Sequence, residues 1–137
     1  MNRTSILLLG LLTIGSTRAV AQLPEEIIEY IDGAKIVAFL DKDTLQASVD
    51  WQPLAGPPPV TIEDVARKLR DYAAEHSSLT NAILSGVELK AIPHHPDKWH
   101  YLAVMQTPDA AAHYFVVLMN GESVKACSVF ASDAAGA

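Results

Sequence analysis

The dipeptide Asn120-Gly121 lies between two runs of strand-forming residues and constrains the fold of this chain more than any other feature. Asn-Gly is a preferred sequence for a two-residue type I′ turn, because both central residues of that turn need positive φ angles. The pattern therefore predicts a β-hairpin in which Met119 pairs with Glu122. Residues that pair across such a hairpin share one face of the sheet.

The predicted strands around this hairpin carry apolar side chains on both faces. A sheet with one face in water shows a clean alternation of apolar and polar residues, and these strands do not. We expect each face to pack against a helix or against a first hairpin of the same chain. The alternative is that the row formed by Trp99, Tyr101, Met105 and Tyr114 is a surface for a partner protein or for a homodimer.

The remaining segments predict an α+β domain with two helices. Residues 23–33 have the composition of a short helix, with acidic residues in the first turn. Residues 34–40 and 44–51 predict a first hairpin. The clearest helix begins after Thr61, where apolar residues recur at helical spacing. The predicted order is α-β-β-α-β-β-β-β, with a largely antiparallel sheet of about five to six strands.

The N-terminus has the pattern of a cleavable signal peptide. Arg3 precedes an apolar stretch from Ile6 to Ile14, and the triplet Ala19-Val20-Ala21 is the kind of site that signal peptidase cleaves. As a helix the stretch would be roughly 15 Å long, about half the hydrocarbon thickness of a membrane. We therefore expect residues 1–21 to be a signal peptide and residues 22–137 to be one domain. That domain would be periplasmic or secreted, with no stable membrane anchor.

Charge and cysteine content narrow the classes of function. The chain has 10 basic and 16 acidic residues, and loss of Arg3 and Arg18 with the signal peptide would leave a net charge of −8. An acidic protein without a basic stripe is a poor candidate for binding nucleic acid or anionic membranes. Cys127 is the only cysteine, so no internal disulfide can form. The predicted hairpin pairs Cys127 with Tyr114, and we expect a buried, unreactive thiol.

Clustered histidines are the candidate metal ligands. His94, His95 and His100 lie close together in the sequence, and a metal ion needs three or four ligands that converge at about 2 Å. Adjacent histidines point apart on an extended backbone, and Pro93 and Pro96 indicate a rigid surface turn. A metal site on these three histidines is therefore an alternative hypothesis, and no cofactor is predicted.

The sequence contains no Gly-x-Ser-x-Gly elbow, phosphate-binding loop or Cys-x-x-Cys pair. The leading hypothesis is a small exported, non-enzymatic domain that binds another protein, as inhibitors and immunity proteins do. One alternative is a periplasmic metal-binding protein. The other is a small hydrolase or isomerase with a pocket between helix and sheet, in which His100 or His113 acts as acid or base.

Overall fold

The computed structural model describes residues 23–130, which form an α+β fold. The signal-peptide prediction for residues 1–21 lies outside the described residues. The helices are α1 (Lys42–Ala47) and α2 (Ile62–Glu75), followed by a 3-10 turn at Ser77–Leu79. The strands are β1 (Glu25–Ile31), β2 (Ala34–Leu40), β3 (Ile83–Ile92), β4 (His95–Gln106), β5 (Ala112–Leu118), β6 (Ser123–Lys125) and β7 (Cys127–Phe130).

The strands form two antiparallel sheets, and the chain passes directly from one sheet to the other between β6 and β7. The small sheet has the order β1-β2-β7, and the large sheet has the order β3-β4-β5-β6. Strands β6 and β7 are consecutive and are separated by Ala126, whose N–H donates to the carbonyl of Tyr114 at 2.9 Å. After this residue the chain leaves β5 and pairs with β2. The two sheets are therefore joined at a corner.

The large sheet is covered on both faces by elements of the same chain, which confirms the first expectation for its apolar faces. One core lies between the two sheets, where Ile36 and Leu40 of the small sheet pack with Leu102 and Val116 of the large sheet. The other core lies under α2 and contains its buried Leu69. The layers therefore run from small sheet to large sheet to helix.

The prediction of a helix over residues 23–33 is wrong, because this segment forms β1 and the turn into β2. Asp32 and Gly33 have φ angles of 49° and 80°, the two positive values that a type I′ turn requires. Ile31 pairs with Ala34 directly across this turn. The isoleucines belong to a strand, in which Ile27 is buried between the sheets and its neighbours face outward.

The predicted strand over residues 44–51 is also wrong, because its first half lies in α1. The helix starts after Asp41 and ends before Ser48, and it places Leu45 in the core between the sheets. Val49, in the second half of the predicted strand, is exposed. The observed order of the regular elements therefore starts with a β-hairpin that is followed by two helices.

The hairpin at Asn120-Gly121 exists, but its register differs from the prediction by one residue. The Leu118 N–H donates to the Glu122 carbonyl at 2.8 Å, and the Gly121 N–H donates to the Leu118 carbonyl at 2.9 Å, so the loop has three residues. Only Gly121 has a positive φ angle, of 86°, while the Asn120 side chain accepts a hydrogen bond from the Glu122 N–H at 3.0 Å. A three-residue loop that ends in a left-handed glycine has this geometry. The shift moves Ala126 to the face that packs on the small sheet.

Helix α2 begins as predicted. The Thr61 N–H donates to the Asp64 side chain at 2.9 Å, and the Asp64 N–H donates to Thr61 Oγ1 at 3.2 Å, which closes a capping box. The hydrogen bonds from Thr61 lower the pKa of Asp64. Within residues 23–130 no helix is both long enough and apolar enough to cross a membrane.

Candidate functional site

The structure does not bring the four predicted partner-binding residues to one exposed surface. Tyr101 and Met105 are each 3% exposed and lie in the core under α2. Trp99 lies at the edge of the same core and is partly exposed. Tyr114 pairs with Val104 and belongs to the opposite core, between the sheets. Two of the four side chains are therefore enclosed on one side of the large sheet, and Tyr114 lies on the other side.

The three candidate metal ligands are also separated. His94 is exposed in the turn between β3 and β4, where its φ angle is 65°. His95 places Nε2 2.9 Å from the Glu25 carboxylate, and His100 is fully buried. A register irregularity of β4 lies between His95, which pairs with Ile92, and His100, which pairs with Lys90. No group of three His, Cys, Asp or Glu side chains in the described chain is placed to hold a metal ion.

His100 is enclosed between the sheets without a hydrogen-bond partner on either ring nitrogen. Burial lowers its pKa to about 4, Glu29 opposes this shift, and the positive charge of Lys90 adds to it. The ring is therefore neutral at pH 7. His113 lies beside Met105 across the strand pair, on the opposite face of the large sheet. The two histidines proposed as acid or base therefore cannot act on one substrate.

A different surface emerges on the small sheet, on the side that faces away from the large sheet. Side chains of a strand alternate between faces, so the residues between the buried core positions of β1, β2 and β7 point outward. We call this set the outer face. It consists of Glu26, Ile28 and Tyr30 from β1, Lys35, Val37 and Phe39 from β2, and Cys127 and Val129 from β7.

Large apolar side chains on the outer face are exposed to an unusual degree. Tyr30 is 74% exposed, Val129 54%, Phe39 49% and Ile28 37%. Val37, which lies between Ile28 of β1 and Cys127 of β7, is 7% exposed and belongs to neither core. The outer face is thus a continuous apolar patch over three strands.

The register of the small sheet arranges this patch in three rows. The middle row is Ile28, Val37 and Cys127. One end row is Tyr30, Lys35 and Val129, and the other is Glu26 and Phe39. The only two charges of the outer face therefore lie at its opposite ends.

One ion pair and one histidine–carboxylate contact on the inner side of β1 hold the outer face in place. The Glu29 carboxylate accepts a hydrogen bond from Lys90 Nζ of β3 at 2.7 Å, and Glu25 contacts His95 of β4. The hydrogen bond to Glu29 raises the pKa of Lys90. Because alternate residues of β1 are tied to the large sheet, the residues between them are directed outward. These contacts keep Ile28 and Tyr30 on the surface.

The prediction that Cys127 is buried is wrong, because its thiol is exposed on the outer face. The expected burial depended on pairing with Tyr114 inside the large sheet. The chain instead leaves β5 at Ala126, and Cys127 pairs with Val37 of β2. The thiol lies in the middle row of the apolar patch.

Comparison of the chain with family models, with curated proteins and with solved structures found no match. Sequence reasoning missed the outer face because β1 was interpreted as a helix. The signal that could have found it is the pair Asp32-Gly33, with alternating residues on both sides of it.

Proposed function

We propose that this chain is a small exported, non-enzymatic protein-binding domain that binds its partner through the outer face. The observation that supports this proposal is the group of four large apolar side chains that the small sheet exposes together, namely Ile28, Tyr30, Phe39 and Val129. A folded domain rarely exposes a large contiguous apolar patch unless the patch binds something.

The size of the patch is adequate for binding. Tyr30 and Phe39 expose 74% and 49% of their surfaces, which is roughly 250 Å² for aromatic side chains of about 150–250 Å² each. With Ile28 and Val129 the patch reaches on the order of 400 Å², within the range of about 300–600 Å² that is often functional. Covering it would contribute about 10 kcal/mol. Association itself costs about 4–15 kcal/mol, so the patch supports reversible binding.

The chemistry of the outer face favours a protein over other ligands. A three-stranded face is open, whereas small molecules bind in concave sites. Lys35 is its one basic residue, and the whole chain has a net charge of −6, so neither nucleic acid nor an anionic membrane is attracted. Aromatic residues are enriched at protein interfaces, and Tyr30 and Phe39 supply them here. The metal-binding and hydrolase alternatives gain no comparable support.

Site-specific photo-crosslinking in the producing cells tests this proposal. Tyr30 is replaced by a photo-activatable phenylalanine analogue, and adducts are analysed after illumination. Ile62 provides the matched control position, because it is 58% exposed and lies on α2, on the far side of the large sheet. We expect discrete adducts from position 30 and none of the same mass from position 62.

A second substitution checks that the adducts depend on the outer face. Ile28→Asp introduces a charge into the middle row, and it should abolish the adducts from position 30. Ile62→Asp should leave them unchanged. Adducts that persist in Ile28→Asp, or a position 30 that forms none, would contradict the proposed binding surface.

A further inference from the structure

We propose that the partner of the outer face is a second copy of this chain, docked face to face around a two-fold axis that runs along the middle row. This inference rests on the proposed function and names its partner. The middle row crosses all three strands of the small sheet through Ile28, Val37 and Cys127. A two-fold interface uses the same patch on both copies, so the patch must complement itself.

The two charges of the outer face favour this axis. Rotation by 180° about the middle row exchanges the two ends of every strand. Lys35 of one copy then lies over Phe39 of the second copy, and Glu26 lies over Tyr30. An ammonium group over an aromatic ring and a carboxylate beside a phenolic hydroxyl are both favourable contacts. Within residues 23–130 neither charge has an ion-pair partner, so both are available.

A two-fold axis parallel to the strands would also dock the two outer faces, but its contacts are less favourable. An axis parallel to the strands would place Lys35 over Lys35 of the second copy, and like charges that meet across an interface are repulsive. It would also leave Glu26 opposite no outer-face residue, since β7 begins level with the middle row, at Cys127. Stacked sheets lie about 10 Å apart with strands within about 30° of each other, which preserves the row-to-row contacts.

The patch area predicts a weak dimer. Two copies together would cover roughly 800 Å² of exposed apolar side chain, and residues at the rim would add to this. Specific interfaces below about 1,200 Å² are typical of transient complexes. We therefore expect a reversible dimer with a dissociation constant in the micromolar range.

Sedimentation velocity over a concentration series tests the dimer, with protein purified in the form that its cells accumulate. The wild-type sedimentation coefficient should rise with concentration from the monomer to the dimer value. Ile28→Asp places two carboxylates at the axis, and it should raise the dissociation constant by at least about ten-fold. Ile62→Asp, on the opposite side of the molecule, should leave the dissociation constant unchanged. Circular dichroism establishes that each variant is folded.

Two measurements distinguish between the axes. A short bismaleimide that first reacts with Cys127 of the free monomer should then join it to Cys127 of the second copy, because both thiols lie on the proposed axis. With the axis parallel to the strands, each thiol would lie over β1 of the other copy. The two thiols would then be displaced sideways from each other by roughly 10 Å, or two strand spacings. Phe39→Glu should preserve the dimer, because the new carboxylate lies over Lys35. With the axis parallel to the strands, the new carboxylate would lie over the same carboxylate of the second copy, and the repulsion between them would abolish the dimer.

The outcomes separate this inference from the proposed function. A protein that stays monomeric at high micromolar concentration overturns the inference, and so does a dimer that Ile28→Asp leaves intact. In either case, crosslinks from position 30 to a different protein would still support the proposed function. A dimer that forms the Cys127 crosslink, survives Phe39→Glu and is lost in Ile28→Asp supports both.

Discussion

Acidification should destabilise this fold through one buried side chain, His100. The ring is neutral, enclosed and without a hydrogen-bond partner, and burial lowers its pKa to about 4 from 6.5. Above pH 6.5 the imidazole is neutral in both the folded and the unfolded chain. As the pH falls from 6.5 to 4 the unfolded chain binds a proton that the folded chain does not, so the free energy of unfolding decreases.

The size of this effect follows from the two pKa values. Each pKa unit corresponds to about 1.36 kcal/mol, so the loss approaches about 3 kcal/mol near pH 4. A domain of this size has a total stability of about 5–15 kcal/mol. One histidine would therefore remove roughly a fifth to three fifths of the stability near pH 4.

His100→Leu tests the attribution, because leucine has a similar volume and does not titrate. Urea unfolding at pH 7 and pH 4, followed by the fluorescence of Trp51 and Trp99, gives the free energy of unfolding for each variant. The difference between the two pH values should be smaller in His100→Leu than in the wild type by about 3 kcal/mol. His94→Leu, in the exposed turn, is the matched control. An unchanged pH dependence in His100→Leu would refute the reasoning.

Three substitutions test the packing and the turns, each by urea unfolding at pH 7. Thr61→Ala removes the capping box of α2 and should lower the free energy of unfolding by about 1 kcal/mol, so an unchanged value would show that the cap contributes nothing. Leu69→Ala opens a cavity under α2 at a fully buried position and should cost about 2–5 kcal/mol, whereas a loss below 1 kcal/mol would mean that the core is looser than the structure indicates. Gly121→Ala should lower the free energy of unfolding by about 1–2 kcal/mol, because the φ angle of 86° disfavours a side chain. Gly86→Ala is the control substitution, since a Cβ atom there would meet open space.

Local signals predicted α2 and failed for β1. The capping box at Thr61 and the helical spacing of apolar residues lie within one element, so the sequence carries them directly. The acidic residues at the start of β1 and Gly33 after its end imitate the two ends of a helix. Only pairing with β2 distinguishes the alternatives. The positive φ angles at Asp32 and Gly33 belong to the turn that makes this pairing possible.

The two faces of the large sheet were predicted more accurately than the register of its last hairpin. Apolar residues on both faces correctly indicated that two layers of the same chain cover the sheet. The register depended on whether Asn120 adopts a positive φ angle. Its side chain instead accepts a hydrogen bond from the Glu122 N–H, and the loop has three residues. A one-residue difference of this kind changes the face of every following side chain.

The candidate surface could not be predicted because it depends on the strand assignments that failed. Apolar residues such as Trp99 and Tyr101 gave the strongest signal for a binding surface in the sequence. In the structure Tyr101 lies in the core under α2, and Trp99 lies at the edge of this core. Tyr30 and Phe39 lie in segments that the sequence predicts to be a helix and a strand. Their exposure follows from the pairing of β1 with β2 and from the ion pair of Glu29 with Lys90, which fixes the inner side of β1.

The reactivity of Cys127 tests the central claim of a covered outer face most directly. The thiol lies in the middle row, so a partner bound to the patch would protect it from alkylation. The measurement is the rate of alkylation by iodoacetamide in the native compartment, for the wild type and for Ile28→Asp. We predict slow labelling of the wild type and fast labelling of Ile28→Asp, equal to the rate of the dilute purified protein. Equal and fast labelling of both proteins in the native compartment would contradict the claim that the outer face binds a protein.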